Sequence, residues 1–252
     1  MQGLNQLALA SLLTILCCLL SLWRKDGIAR ELFIATARTV LQILLLGYAL
    51  TWIFKHPSLL LVLLVSTFMT ISSALHSRTR IKTKYKGIFL DNLFATTLTI
   101  WPLALVGSLL IGTDPWWKPE LFLPLIGMLL GNVLNGISLG IDQFTHEVHT
   151  RKEEILSMLA LGASTSEATD GFFRRCIRVA LTPMLNAMAS MGLVSIPGMM
   201  TGQILGGQDP GEAAVIQILF MIFISVGVYL GSMTGIRLAR NKLFNPKGIP
   251  CF

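Results

Sequence analysis

Residues 151–210 read RKEEILSMLALGASTSEATDGFFRRCIRVALTPMLNAMASMGLVSIPGMMTGQILGGQDP. The stretch opens charged and amphipathic, continues through a basic helical pattern, and then enters an apolar run broken by glycine and proline. A surface-lying helical pair that feeds directly into an irregular apolar run has the pattern of a moving part. Glu153 and Glu154 place negative charge where a helix N-terminus favours it. Behind them Ile155, Leu156, Met158, Leu159 and Leu161 make one apolar face. Gly162 suits the position just past a helix end. Ser164 and Glu167 have the spacing of a capping box. The expectation is a helix, a tight break and a second helix. A bare re-entry linker along the membrane surface would be amphipathic too, but it does not need so long and defined a pair, so a docking element is the favoured reading.

Working outward, the rest of the chain is apolar. Of its 252 residues, 53% are hydrophobic and 13% charged, and the mean hydropathy is +0.69. A soluble domain of this length needs more surface charge. About 20 apolar residues cross the hydrocarbon core as a helix, and such runs occur at 4–23, 41–54, 58–75, 88–111, 121–141, 182–207 and 213–235. Residues 28–38, with Arg30, Glu31 and Arg38, read as an interfacial piece before the second run. The expected fold is an all-α polytopic membrane helix bundle of about seven transmembrane helices. It forms one domain over residues 1–252, with a polar coupling segment at about 143–181 between the fifth and sixth spans. No soluble catalytic domain fits in what remains.

The net charge of +7 lies in short loops between apolar runs, which is the positive-inside pattern rather than a nucleic-acid face. Arg24, Lys25 and Arg30 follow the first run. Arg78, Arg80, Lys82, Lys84 and Lys86 occupy every second position after the third. Arg237, Arg240, Lys242 and Lys247 follow the last. All agree on an N-terminus outside and a C-terminus in the cytoplasm, with residues 143–181 cytoplasmic as well. Trp116 and Trp117 suit an outer aromatic belt. The first run has no basic residue before it and does not read as a cleavable leader. Cys17, Cys18, Cys176 and Cys251 form neither a metal-type spacing nor a paired framework. Cys17 and Cys18 behave as small hydrophobes, and the other two are expected to stay reduced.

Polar and flexible residues inside the runs mark candidate path positions. Arg38 either snorkels to headgroups or faces inward with Gln42 one turn on. Asn132 and Asn135 make interhelical hydrogen bonds or line a polar path. Gly127, Gly131, Gly136 and Gly140 give two small-xxx-small pairs for close helix approach. In the sixth run Gly192, Pro197, Gly198, Gly202, Gly206 and Gly207 weaken the helix. Such a break marks a substrate path or a kinked packing helix. Asn186 and Gln203 lie in the same run. Met184, Met188 and Met191 share a helical stripe, with Met199 and Met200 beyond. Thioethers ligate soft metals but more often fill cores. No acid or histidine sits mid-span, so a bare hard cation finds few ligands and a proton relay has no groups. No metal site is assigned. No phosphate-binding G-x-x-x-x-G-K-[ST] loop occurs, and no nucleophile–base cluster marks an enzyme.

Several stretches carry a family resemblance: ARTVLQILLLGYAL (37–50), GMLLGN (127–132), LSMLALGAS (156–164) and GLVSIPGMMTGQILGGQDP (192–210). Through them nearly the whole chain resembles the FetB-type permeases, bacterial ABC-transporter membrane subunits linked to iron export, with plant aluminium-tolerance half-transporter relatives. The resemblance implies a permease in the cell inner (plasma) membrane, paired with a cytoplasmic ABC ATPase subunit and with a second copy of itself. This chain itself would bind no cofactor, and ATP and Mg would sit on the partner. The cytoplasmic segment also looks like the coupling loop of other ABC permeases, although Glu154 to Gly162 is longer than the importer spacing. The candidate ATPase-coupling residues are Glu153, Glu154, Leu159, Gly162, Ala163, Ser164, Arg174 and Arg175. The candidate path residues are Arg38, Gln42, Asn132, Asn135, Met184, Asn186, Met188, Met191, Pro197, Met199 and Gln203. Export of iron or another metal is the expected function. Transport of an organic solute such as a nucleotide sugar, or an ATPase-independent carrier or channel, is the alternative.

Overall fold

The computed structural model describes residues 2–244, with side chains from residue 11 onward. Lys247 and Cys251, expected on the cytoplasmic side, lie outside the described residues. Among the described residues the chain is all-helical, in the order α1 (Gln2–Arg24), α2 (Ala29–Lys55), α3 (Leu59–Arg80), α4 (Ile88–Ile111), α5 (Pro119–Thr150), α6 (Lys152–Ala160), α7 (Thr165–Ser190), α8 (Gly198–Leu205) and α9 (Pro210–Leu243). The chain divides into two compact units, Met1–Pro57 and Ser58–Phe252.

The first unit is α1 packed on α2. Lys25 and Gly27 turn the chain with positive φ of 57° and 79°. Asp26 Oδ1 accepts from the Ser21 hydroxyl and, at 3.2 Å, from the Ile28 N–H. These two donors hold the Asp26 carboxyl below the usual carboxylate range. α2 is one uninterrupted helix of 27 residues, so the separate interfacial piece expected at 28–38 does not form. Arg30, Glu31 and Arg38 sit among good helix formers, and no proline interrupts the run.

The second unit is built around α5, which packs on α3, α4, α7 and α9. In its most apolar window 56% of residues are buried, more than in any other span, whereas α4 reaches 39% and α9 33%. α5 is therefore the bundle's centre, and its neighbours keep an apolar face free for lipid. Leu60, Leu64 and Phe68 of α3 and Leu90, Phe94 and Leu98 of α4 are such exposed residues. Glycine brings α5 and α9 together. A Cβ at Gly136 would lie 2.7 Å from Val228 Cγ1, and one at Gly231 would lie 2.7 Å from Val133 Cγ1. Gly140 also faces α9, with Ile236 Cδ1 at 3.0 Å, but Gly131 has open space around it. Both members of the second expected small-residue pair therefore meet α9, whereas in the first pair only Gly127 meets a neighbour, Met69 Cε of α3 at 3.3 Å from a Cβ. A buried polar link joins α3, α4 and α5, in which Asn92 Nδ2 donates to Ser77 Oγ at 3.0 Å and Ser77 Oγ meets Ser138 Oγ at 2.9 Å.

Among the described residues five helices are long and apolar enough to cross a membrane: α2, α3, α4, α5 and α9. The chain is thus a multi-pass membrane protein. The first expected run forms a helix as well, with Ser11–Arg24 an apolar stretch of it. The sixth run differs from the expectation. Residues 182–207 do not form a single span. The basic helix continues without a joint through Pro183 to Ser190, and the backbone then leaves the helix. Gly192 takes a φ of 80°, its N–H donates to Ser195 O at 2.9 Å, and Pro197 bars helix from the residue before it. α8 restarts at Gly198 and lasts only 8 residues. Three helices outrun their apolar stretches, α3 reaching Arg80, α5 Thr150 and α9 Leu243, whereas α4 matches its run. Hydrophobicity ends where lipid ends, but backbone hydrogen bonding carries on into water.

Candidate functional site

The segment after α5 is a jointed pair of helices, as its residues imply. Arg151 bonds back to Glu147 at 3.0 Å and forward to Glu154 at 3.3 Å, bracketing the kink between α5 and α6. α6 runs 9 residues. Its end closes with the Ala163 N–H donating to Met158 O and the Gly162 N–H to Leu159 O, both at 3.0 Å. Gly162 adopts a φ of 92°, a left-handed conformation that costs a residue with a Cβ roughly 1–2 kcal/mol. Ser164 then caps α7. Its hydroxyl accepts from the Glu167 N–H, and Glu167 Oε2 accepts from the Ser164 N–H at 2.8 Å. The Ser164 hydroxyl and N–H hold the Glu167 carboxyl below its ordinary range.

The apolar face expected on α6 is divided by the fold. Ile155 is fully buried, and Met158 and Leu159 are half-buried against the bundle. Leu156 is 37% exposed and Leu161 89% exposed. With exposed Glu153 and Glu154 they present a mixed acidic and apolar knuckle around Gly162. On α7, Phe172 is buried beneath two guanidinium groups, Arg151 at 5.4 Å and Arg175 at 5.3 Å. Such stacking adds cation–π attraction to burial. Arg174 points away and pairs with Asp170 at 2.8 Å. Arg240 of α9 lies over Phe173 at 5.4 Å and donates to Ser166 Oγ at 3.1 Å. These contacts fasten α7 to α5 and α9. Arg240 read in sequence only as a topological charge, because nothing in the spacing shows which helix it reaches.

The candidate path residues fall into separate places. Arg38 and Gln42 are exposed on α2, in the first unit. Met188, Met191 and Pro197 do converge. With Met200, Gln217 and Met221 they line a cavity of about 400 Å³ at the break between α7 and α8, closed on one side by α9. Gln217 is buried and its Oε1 has no hydrogen-bond partner. Met184 is packed in the core, Asn186 is exposed, and Met199 and Gln203 are half-buried outside that lining. Gln203 Oε1 is likewise buried without a partner. Asn132 donates to Met128 O at 2.9 Å on its own helix. Asn135 instead accepts from the Arg80 guanidinium at the mouth of a second cavity, of about 360 Å³, lined also by Ser138, Asp142 and Pro183. Asp142 Oδ1 accepts from the Lys82 N–H at 2.7 Å. Arg80, Met221 and Gln217 line these two cavities, and reading by span did not single them out. Glutamine in a hydrophobic run was the available signal for Gln217. Among the described residues no group of three or more His, Cys, Asp or Glu side chains is placed to hold a metal.

At the same end of the bundle Asp91, in the first turn of α4, is buried and pairs with Lys242 of α9 at 2.8 Å. Tyr85 lies beside them. Burial, and then the charge of Asp91, push its phenol above the ordinary tyrosine range. The two groups are not in hydrogen-bonding geometry, and both the Tyr85 hydroxyl and Asp91 Oδ2 lack a partner.

Comparison with known proteins adds a family context. A model described as "Uncharacterised protein family (UPF0014)" matches residues 4–244. The UPF0014 membrane protein slr1647 of Synechocystis sp. is 34% identical over 226 residues, 88% of this chain and 86% of that protein. The probable iron export permease protein FetB of Escherichia coli is 29% identical over 247 residues, 96% and 93% of the two chains. The protein ALUMINUM SENSITIVE 3 of Arabidopsis thaliana is 27% identical over 247 residues, 97% and 88%. No solved structure gives a significant match.

Proposed function

The chain belongs to the UPF0014 family of membrane proteins, and from that premise we propose that it is the membrane-spanning permease subunit of an ATP-driven ABC transporter. A separate cytoplasmic ATPase supplies the energy, two copies of each subunit make the pump, and the cargo is iron or another metal moved outward across the inner membrane. ATP and Mg belong to the ATPase. The N-terminus lies outside and the C-terminus inside, as the basic loops require. The observation that carries the reading is the continuity of α7. One helix of 26 residues begins at the capped Gly162–Ser164 joint and ends at the methionine-lined break. At 1.5 Å per residue it is about 39 Å long. Force applied to α6 and to the start of α7 by an ATPase therefore reaches the cavity at Met188 and Met191 along a single helix, with Pro183 its one point of missing backbone hydrogen bonding. Glu153, Glu154, Leu159, Gly162, Ala163 and Ser164 form the contact, and Arg174 and Arg175 flank it.

Iron enters through the name of the Escherichia coli relative. The cavity lining itself has thioethers and a carboxamide but no carboxylate or imidazole. That donor set suits weak, transient passage of a metal or a metal complex better than a tight bare-ion site. The same lining favours the second reading, an organic solute. The chain co-purified with its ABC ATPase in lipid vesicles is expected to hydrolyse ATP faster with Fe²⁺ than with other metals or solutes. Stimulation and ATP-driven movement of another solute, with none for iron, would remove the metal. Solute conduction by the chain alone, with no ATPase bound, would remove the pump.

A further inference from the structure

The basic loop 81–87 holds more than the charge bias that orients a membrane protein. Lys84 and Lys86 of that loop converge with Lys242 of α9 and His149 of α5 on one concavity of about 400 Å³, which Tyr85 also lines. Orientation requires basic residues near the ends of the spans. It does not require lysines from the third loop and from the last helix to meet on one surface. The geometry there is built. Gly87 takes a φ of 90°, a conformation that strains other residues, and a Cβ on it would stand 2.5 Å from Lys242 Nζ, so a side chain there would push the ammonium off this position. Asp91 then fixes the ammonium at 2.8 Å. Asp91 offsets one of the three lysines. Among the described residues Lys84 and Lys86 make no ion pair, so the concavity keeps a net positive charge. The Tyr85 hydroxyl completes no hydrogen bond of good geometry, and it lies beside the Asp91 carboxylate at the back of the concavity.

We infer that this concavity binds a phosphate group, held by Lys84 and Lys86 with Lys242 and the Tyr85 hydroxyl behind them. It opens where α4 begins, at the level where a membrane-crossing helix meets headgroups. The phosphodiester of an anionic phospholipid and free phosphate both offer the required charge and acceptor oxygens. The inference does not depend on the transport reading.

The test uses the full chain in a neutral detergent and native mass spectrometry with dioleoylphosphatidylglycerol or dioleoylphosphatidylcholine added. Calorimetry with inorganic phosphate runs in parallel. Lys84 and Lys86 are exposed, so the K84Q/K86Q variant keeps the fold. The expected result is selective retention of phosphatidylglycerol. Retention becomes about 30-fold weaker in K84Q/K86Q, taking about 1 kcal/mol per lysine near the surface, is weakened less in Tyr85→Phe, and is unchanged in Lys118→Gln at the start of α5. Phosphate binding that is lost in K84Q/K86Q, without lipid selectivity, assigns the same site to the soluble anion. Absence of both, or binding equal in wild type and K84Q/K86Q, overturns the inference.

Discussion

Lys242 Nζ lies 2.8 Å from Asp91 Oδ1 and so ties the last turn of α9 to the first turn of α4. The partners are unequally placed, since the Asp91 side chain is 6% exposed and that of Lys242 41%. Removing the lysine strands a buried carboxylate, whereas removing the acid frees an ammonium that reaches water along its stem. Lys242→Gln is therefore expected to destabilise by about 2 kcal/mol, or roughly 4–8 °C in melting midpoint, and Asp91→Asn by less. Thermal melting in detergent checks this, and the double variant should lose less than the sum of the singles. Equal losses in the two singles would show that the asymmetry of burial does not matter.

The glycines of α5 and α9 fall into two kinds, and substitution should separate them. At Gly136 a methyl group meets Val228 Cγ1 at 2.7 Å and Ser232 Oγ at 2.9 Å, and at Gly231 it meets Val133 Cγ1 at 2.7 Å. Valine is stiff at χ1 and cannot swing aside. Gly136→Ala and Gly231→Ala are expected to cost about 1–3 kcal/mol each through overpacking. Gly131→Ala, with nothing within 4 Å, should leave the melting midpoint near wild type. Melting curves of the three variants side by side decide it.

These two cases show what the chain discloses on its own. Local chemistry was legible: the αL position of Gly162, the Ser164–Glu167 cap and the break at Pro197 follow from nearest-neighbour rules, and all three are present. Apolar length located five spans for the same reason. Sequence period could not say which glycine faces which helix, because Gly131 and Gly136 look alike until α9 is in place. Nor could it pair Asp91 with Lys242, 151 positions apart, or bring Gln217 to Met188 and Met191. The error in the sixth run has the same root. Apolar composition continues across 182–207, but a left-handed glycine and a proline stop the backbone regardless of composition.

The α7 cap should be sensitive to acid. Glu167 is held below its ordinary range by the Ser164 hydroxyl and N–H. A carboxyl with a depressed folded pKa contributes stability above its unfolded value, about 4.3, and loses it as pH falls through the folded value. The protection of amides in the first turn of α7, relative to their intrinsic exchange rates at each pH, is expected to fall in acid for wild type. Ser164→Ala should show the lower protection already at pH 7, with a weaker further response to acid. Identical profiles would mean that the cap does not govern this end of the helix.

Cys176 should be chemically silent in the folded chain. It is fully buried on α7, and burial first, then the nearby charge of Glu147, push its thiol up to about 12. At pH 8 the thiolate fraction is then about one in ten thousand, against roughly a quarter for an ordinary thiol. A water-soluble maleimide is expected to leave Cys176 unlabelled at pH 8 and to label it after denaturation. Rapid labelling of the native protein would show that α7 opens away from α5.

The joint at Gly162 gives the sharpest test of the coupling proposal. Gly162 has a φ of 92° with nothing within 4 Å of a Cβ, so the obstacle to another residue there is backbone strain rather than crowding. Proline cannot take a positive φ at all, and Gly162→Pro must break the geometry between α6 and α7. The joint lies on the surface and α7 stays anchored through Arg151 over Phe172 and Arg240 over Phe173, so membrane insertion should survive. Glu154→Gln acts differently. It removes the charge paired with Arg151 at 3.3 Å, an exposed pair worth little to stability, and takes an acidic group from the proposed contact. In the complex with its ATPase, both variants are expected to retain ATP hydrolysis while transport per ATP falls, by tenfold or more for Gly162→Pro and by less for Glu154→Gln. Transport and hydrolysis that remain in their wild-type ratio in both variants would place the coupling contact elsewhere on the chain.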